Sequence, residues 1–364
     1  MVSPNIKRNI KRIIPFGLIW LIFSMVYSLI ERGLLGDLNI YPSTGNPYNF
    51  NRNFIINAVT ALILGLLVGT IEILYFNNLF LKKSFKQKIV FKTIIYLSII
   101  ISCLLINTLI YNSTELKTGI FDMRVWNNIW AFFSSYAFEG VAAYIAAIMG
   151  VTLFYTEVSE NLGQGVLNNF FRGKYHTPIS EERIFMFLDI KSSTTIAENL
   201  GHVKYFQMLR EYYSDLSIPI IKYSGEIYQY VGDEIVVTWK LKDGLQNNNC
   251  IQCFFGIKHA INKQIKKYNE KFGLVPEFKA GFHVGKVTTG EIGVIKKDII
   301  FTGDVLNTTE RIQELCKTYK VDILISDHLT KKLLLHSQFQ IKELGESELR
   351  GRNEKIKLFT ILAL

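Results

Sequence analysis

The chain has 364 residues, a formal net charge of +10 and 49% hydrophobic residues, with a mean hydropathy of +0.20. It exceeds one average domain and is too apolar for an ordinary soluble protein, so two regions of different character are expected. The positive balance is not read as a nucleic-acid footprint, because clusters such as Lys7, Arg8, Lys11 and Arg12 lie beside apolar runs and report membrane topology.

The basic start leads into an apolar stretch from about Ile14 with no small-residue cleavage site, so the segment is expected to stay as an anchor rather than leave as a signal peptide. Crossing the hydrocarbon core takes about 20 mostly apolar residues, which predicts about four membrane helices, near Ile14–Ile30, Phe54–Tyr75, Ile89–Tyr111 and Trp126–Tyr155. Trp20, Tyr75, Tyr111, Trp126, Trp130 and Tyr155 fall in or near the ends of these runs, some of them where interfacial aromatics sit. Lysines cluster again at Lys82, Lys83, Lys86 and Lys88. By the positive-inside rule the N-terminus and everything after Tyr155 are cytoplasmic, and the connection with Pro42, Thr44, Asn46 and Pro47 faces outward. The expected location is the cytoplasmic membrane, multi-pass, with the lipid bilayer as a partner. Few ionisable residues interrupt the runs, with Glu72 and Glu139 as the candidates for an ion path, and an all-α bundle over residues 1–155 is read as an anchor and a dimerising or sensing element. Four cysteines, with Cys103 inside an apolar run, give no secreted disulfide framework and fit a reduced compartment.

Residues 156–180 read as a cytoplasmic linker. Val158, Leu162, Val166, Leu167 and Phe170 recur at helical spacing, which suits an amphipathic connecting helix, although a passive tether reads the same way. From 181 to 364 the texture is that of a soluble domain. It predicts a strand at Arg183–Leu188, a helix from about Thr195 to Tyr213, and a hairpin of Glu226–Val231 with Glu234–Trp239 turned by Gly232-Asp233. A helix near Cys250–Lys271, strands at Phe278–Val284 and Lys286–Ile292, a short strand at Ile299–Thr302 and a helix from about Val305 to Thr318 follow. This is an α+β, ferredoxin-like βαββαβ order with an extension, an arrangement that by itself licenses no activity.

The run FMFLDIKSSTT ends an apolar strand on Asp189, just before Ser- and Thr-rich amides at a helix start that suit an anion. Asp233, in YQYVGDEIV, lies at a hairpin tip. Two carboxylates at the ends of neighbouring strands can share a pair of Mg²⁺ or Mn²⁺ ions, which prefer oxygen ligands and substrate phosphates. Taken singly, each Asp is also an ordinary helix cap or turn residue. In GDVLNTTERIQ, Asn307 and Arg311 are four apart and share a helix face. An Asn can bond a ribose oxygen and an Arg can neutralise a growing phosphorane charge, though such a pair is more often a solvated surface.

Together these strings resemble the class III adenylyl and guanylyl cyclases. FLDIKSST matches their Asp-Ile-x-Gly-Ser/Phe-Thr, VGDE their Gly-Asp, GFHVGKVTTGEIG their Gly-Ile-His-x-Gly, and GDVLNTTER their Gly-Asp-x-Val-Asn-x-x-x-Arg. The resemblance covers roughly Arg183 to Ile361 and leaves the membrane half open. It implies conversion of a nucleoside triphosphate, ATP by family habit, to its 3′,5′-cyclic monophosphate and pyrophosphate. Asp189 and Asp233 would hold the two metals, with the Ile190 carbonyl as an extra ligand, and Ile190 through Thr194, including Ser192, Ser193 and Thr194, would cradle phosphates. Lys286 and Arg350 fall at triphosphate contacts, Asn307 would orient the ribose and Arg311 would stabilise the transition state. The family shares its active site between two catalytic domains, which implies a homodimer.

The purine-reading positions depart from the pattern. Gln229 stands where adenylyl enzymes have Lys and guanylyl enzymes Glu, and Ile300 stands where they have Asp or Thr and Cys, so ATP and GTP both stay open. Ser192 replaces the usual Gly, tolerable if that turn keeps φ negative. VGDEI also resembles the GGDEF string of diguanylate cyclases, but Val231 replaces the first Gly and the Asn/Arg motif belongs to the other family. Cys250 and Cys253 lack a partner pair for zinc, and His283 in its strand reads as structural. The rival to an enzyme is a catalytically silent cyclase-like domain relaying a membrane signal.

Overall fold

The computed structural model describes residues 4–40, 42, 48–76, 84–162, 173–295, 297–335, 339–348 and 355–363. Lys82, Lys83, Thr44, Asn46, Pro47, Val166, Leu167, Phe170 and Arg350, all used above, lie outside them. The chain divides into two units, one of Lys7–Asn168 and one of Asn169–Leu364 with Met1–Ile6.

The first unit is helical: α1 (Pro4–Leu35), α2 (Phe50–Ile71, continued by a π-helical turn Glu72–Phe76), α3 (Phe85–Glu115), α4 (Met123–Phe133) and α5 (Tyr136–Leu162). Among the described residues four helices, Pro4–Leu35, Phe50–Phe76, Phe85–Thr114 and Phe138–Asn161, are long and apolar enough to cross a membrane. The last corrects the expected run from Trp126. Ser134 ends α4, and Ser135 restarts the chain by accepting a hydrogen bond from the Phe138 amide at 3.3 Å, so Met123–Phe133 is a separate short helix. It buries only Val125 and Ile129, four apart on one stripe, and leaves Trp130 exposed. Where α1 meets α2, Gly65 and Gly69 let the backbones close: a Cβ at Gly65 would lie 2.8 Å from the Phe16 carbonyl oxygen and from Trp20 Cβ. Small residues four apart commonly allow such approach in apolar bundles.

Charge inside this unit is paired. Lys92 on α3 is fully buried between Glu72, which it contacts closely, and Glu157 Oε1 at 3.3 Å. Tyr96 Oη donates to Glu72 Oε2 at 3.0 Å, and Lys88 Nζ lies 3.0 Å from Glu157 Oε2. Glu139, the other ionisable candidate, is instead exposed in the first turn of α5. Glu72 sits where α2 changes to π-helix, a transition that often marks a functional or strained position.

The second unit is built on an eight-stranded sheet. Its elements are β1 (Ile179–Ile190), α6 (Ser193–Leu200), α7 (His202–Lys222), β2 (Glu226–Val231), β3 (Glu234–Lys240), α8 (Asn249–Lys263), α9 (Ile265–Phe272), β4 (Phe278–Ile292), β5 (Asp298–Thr302), α10 (Asp304–Tyr319), β6 (Ile323–Ser326), β7 (Phe339–Glu348) and β8 (Lys355–Ala363). The strand order β2-β3-β1-β4 is the ferredoxin-like core, and β6-β8-β7 extends it past β4. Alternate residues of β1 face two cores. Ile184, Met186 and Leu188 pack with Met208, Tyr212 and Phe254, whereas Phe185 and Phe187 pack with Val236, Val287 and Val305. Burial on both faces explains the continuous apolar run.

Three expected elements change. The helix from Thr195 breaks at Gly201, giving α6 and α7, and the helix to Lys271 breaks at Gln264, giving α8 and α9. The two strands expected on either side of Gly285 are one strand, β4, paired with β1 from Ile179↔Thr289 to Ile190↔Phe278.

Removing one partner from a buried ion pair leaves the other charge unmatched and costs about 3–5 kcal/mol. Lys92→Met is therefore expected to lower the unfolding midpoint of the full chain in lipid nanodiscs, while Glu139→Gln leaves it unchanged. Equal midpoints in the two variants would show that the network carries no stability.

Candidate active site

Asp189 is the penultimate residue of β1. The pairing Leu188↔Ile235 brings the tip of the β2–β3 hairpin, with Gly232 and Asp233, alongside that strand end. Tyr213 of α7 fixes the tip: its Oη donates to the Gly232 carbonyl at 3.0 Å, with the Glu234 carbonyl at 3.4 Å, and its ring lies 4.5 Å from that of Tyr230.

The two carboxylates face each other. Burial raises the Asp189 pKa, and the neighbouring Asp233 raises it further, against the lowering effect of Lys279. Lys279, directly across the ladder on β4, places Nζ 3.3 Å from Asp189 Oδ2. Gln313 Nε2 donates to the same oxygen at 3.2 Å. Asp233 Oδ2 is buried with no hydrogen-bond donor against it. Glu234 is pushed up to about 7, first by burial and then by Asp189, Glu310 and Asp233, and burial followed by the two aspartates pushes Tyr205 up to about 12. Two acceptors held together, one oxygen lacking a donor, fit an oxygen-seeking divalent cation. No cluster of three or more His, Cys, Asp or Glu side chains suited to a metal occurs among the described residues, so ligands beyond the two carboxylates would come from backbone carbonyl, nucleotide and water.

Ile190 ends β1 with its side chain in the core, leaving its carbonyl as the group it can offer. Ser192 stands just before α6 at φ 55°, ψ 33°, so the condition of a negative φ is not met: the residue replacing glycine occupies the left-handed conformation that glycine favours. The helix ladder of α6 starts after it, so the Ser193 and Thr194 amides are among the donors that a helix start leaves open. The Lys191 amide is already bound to the Glu277 carbonyl at 2.8 Å.

Gln229 on β2 is exposed beside a bulge, and Ile300 on β5 pairs with Gly290. Their neighbours touch. The Phe301 amide donates to Tyr228 Oη at 3.3 Å and the two rings lie 4.9 Å apart, so the two positions are brought to one region. Lys286 is exposed on β4, opposite Glu182. Asn307 is exposed and Arg311 half-buried on α10, whose Thr308, Thr309, Ile312 and Gln313 are buried.

Lys279, Gln313 and Tyr213 were not singled out from sequence. Lys279 was within reach of strand-register reasoning, but nothing in the sequence marks the other two. Cys250 and Cys253 are core residues of α8, with burial pushing the Cys250 thiol up to about 12. His283 is buried, Nδ1 2.7 Å from Ser326 Oγ, as a structural histidine should be.

An α+β sheet of this order with carboxylates at paired strand ends fits a nucleotidyl-cyclase-like domain. The family model for the adenylate and guanylate cyclase catalytic domain matches residues 177–363. The chain belongs to that family. It is 34% identical over 223 residues to adenylate cyclase 2 of Rhizobium meliloti (strain 1021), covering 61% of this chain and 61% of that protein. It is 24% identical over 188 residues to an adenylate cyclase of Anabaena cylindrica, covering 49% of this chain and 36% of that protein. The chain thus spans less than two thirds of these relatives. A bacterial light-regulated adenylyl cyclase structure shares the fold with a TM-score of 0.53 and 19% identity, over 63% of this chain and 66% of that one. Class III cyclases use divalent metal ions, and the carboxylate pair fits one.

Two stability outcomes follow. Ser192→Gly is expected to gain about 0.5–1 kcal/mol in thermal unfolding, because relief of the left-handed strain exceeds the added flexibility of glycine. Asp233→Asn removes the facing charge and is expected to raise the midpoint of the metal-free chain by a few degrees, about 1 kcal/mol. Saturating Mn²⁺ should reverse that order, and a lower metal-free midpoint for Asp233→Asn would contradict the repulsion.

Proposed function

We propose that the chain is a membrane-anchored adenylate cyclase, acting as a homodimer on ATP to give 3′,5′-cyclic AMP and pyrophosphate. The observation that carries this reading is the partly buried pairing of Asp189 with Asp233, one of whose oxygens is buried with no donor. The names of the relatives support ATP as substrate.

In this reading the ribose 3′-oxygen attacks the α-phosphorus, the bond from that phosphorus to the bridging oxygen breaks, and pyrophosphate leaves with the electron pair. The 3′-hydroxyl proton goes to water. Two ions, Mg²⁺ or Mn²⁺, held by Asp189 and Asp233 with the Ile190 carbonyl, would supply Lewis-acid activation of the 3′-oxygen and α-phosphate. Ser192, Ser193 and Thr194 hold phosphate oxygens, and Lys286 and Arg350 add positive charge to the triphosphate. Asn307 orients the ribose, and Arg311 meets the charge that grows at the α-phosphate. The Gln229 amide both donates and accepts, so it bonds the purine edge, while Ile300 packs on the base without a hydrogen bond.

Helix phase supports a shared site. Gln313 contacts Asp189, and Arg311 lies two residues back, about 200° round the same helix, so it projects away from its own chain's carboxylates. A second chain supplies what each site lacks. Positive charge at Lys7, Arg8, Lys11, Arg12, Lys86 and Lys88 supports a cytoplasmic N-terminus and catalytic domain.

Turnover of ATP and GTP by the full chain in nanodiscs, with Mg²⁺ or Mn²⁺, tests the reading. ATP should be cyclised, Asp233→Ala should abolish product, and Arg311→Ala should lower kcat by about 100–1000-fold. Mixed one to one before assembly, these two variants should regain about one quarter of parental activity, since half the dimers carry one intact site of two. Product from GTP alone would overturn the base choice; no complementation would overturn the shared site.

A further inference from the structure

The GFHVG string of β4 has no chemical role in the mechanism above, yet it decides how α10 lies on the sheet. A Cβ at Gly281 would come within 2.7 Å of both Cα and Cβ of Gln313, and one at Gly285 would lie 2.6 Å from Val305 Cγ2. Two glycines four apart on one face of β4 therefore let the helix backbone press against the strand at two points. Cys316 adds a third, its Sγ 3.5 Å from the Ala280 carbonyl. At that depth Gln313 is 3% exposed, and its side chain runs along the sheet surface to Asp189.

Both donors on Asp189 use one oxygen. Gln313 Nε2 at 3.2 Å and Lys279 Nζ at 3.3 Å converge on Oδ2, which leaves Oδ1 as the oxygen not engaged by either. A neutral amide on a fixed helix sets the rotation of a carboxylate. The flexible lysine supplies charge without fixing direction.

We infer that Gln313 is a positioning residue for the metal carboxylate: through Oδ2 it turns Asp189 so that Oδ1 meets the cation, and Gly281 permits this by admitting α10 to the strand. The inference rests on the cyclase reading. Partners that orient a metal ligand without touching the metal typically affect affinity by about 10–100-fold when removed.

The test is Mn²⁺ binding by the full chain in nanodiscs with a non-cyclisable ATP analogue, followed by electron paramagnetic resonance, alongside cyclase activity as a function of Mn²⁺. Gln313→Met keeps length and removes the donor. It is expected to raise the Mn²⁺ dissociation constant about tenfold and to depress activity at limiting Mn²⁺, with recovery as Mn²⁺ is raised. A purely structural defect would not recover with metal. Gln313→Leu serves if the Met variant fails to melt cooperatively. Unchanged Mn²⁺ binding in a cooperatively folded variant overturns the inference alone. A parental chain that binds no Mn²⁺, or binds it equally well as Asp233→Ala, overturns the cyclase reading and this inference with it.

Discussion

The catalytic unit is organised around one unfavourable contact, two carboxylates pressed together in a partly buried place. Left to themselves, Asp189 and Asp233 would separate or take up a proton. They stay together because each is fixed by structure that does not depend on it. Asp189 lies one residue from the end of a strand paired on both sides, with β3 and with β4, and Asp233 sits on a hairpin tip locked by Tyr213. The sheet holds the charges in place, and a cation would turn the same contact from a cost into a binding site.

The helical unit handles buried charge in the opposite way. Glu72 and Glu157 are matched by Lys92 and Lys88, with Tyr96 adding a hydrogen bond, so this cluster is already satisfied. Among the described residues, the carboxylates of the catalytic unit have one lysine and one amide between them, both on a single oxygen. A satisfied network rigidifies its surroundings, whereas an unsatisfied one has something left to bind. That contrast, more than burial alone, separates a structural cluster from a candidate active site.

How much of this was legible in the sequence depends on the range of the cause. The end of an apolar strand at Asp189 and the Gly-Asp hairpin turn are local, and the order of motifs gave the core topology. Two strands were expected on either side of Gly285, but that glycine marks a close approach within one strand: Val305, twenty residues on, fills the space a Cβ would take. Gln313 on Asp189 required the phase of α10 and the register of β1 together. Ser192 at positive φ ran against residue preference, so no local rule reaches it. The four-residue β6 is too short for a period, and it becomes a strand by pairing parallel to β4.

These long-range causes meet in α10. Successive residues of a helix are about 100° apart, so the contact of Gln313 with Asp189 fixes the outward bearing of Asn307 and Arg311 as well. No residue of that helix can be turned without turning the others. A rotation by one position would carry Gln313 off the carboxylate and Arg311 off its outward direction together. The depth is fixed separately, by the two glycines of β4. In the shared-site reading, one rigid helix therefore sets the metal ligand of its own chain and the phosphate-facing arginine offered to the partner. The two halves of the chemistry are thus coupled through backbone geometry before any nucleotide is bound.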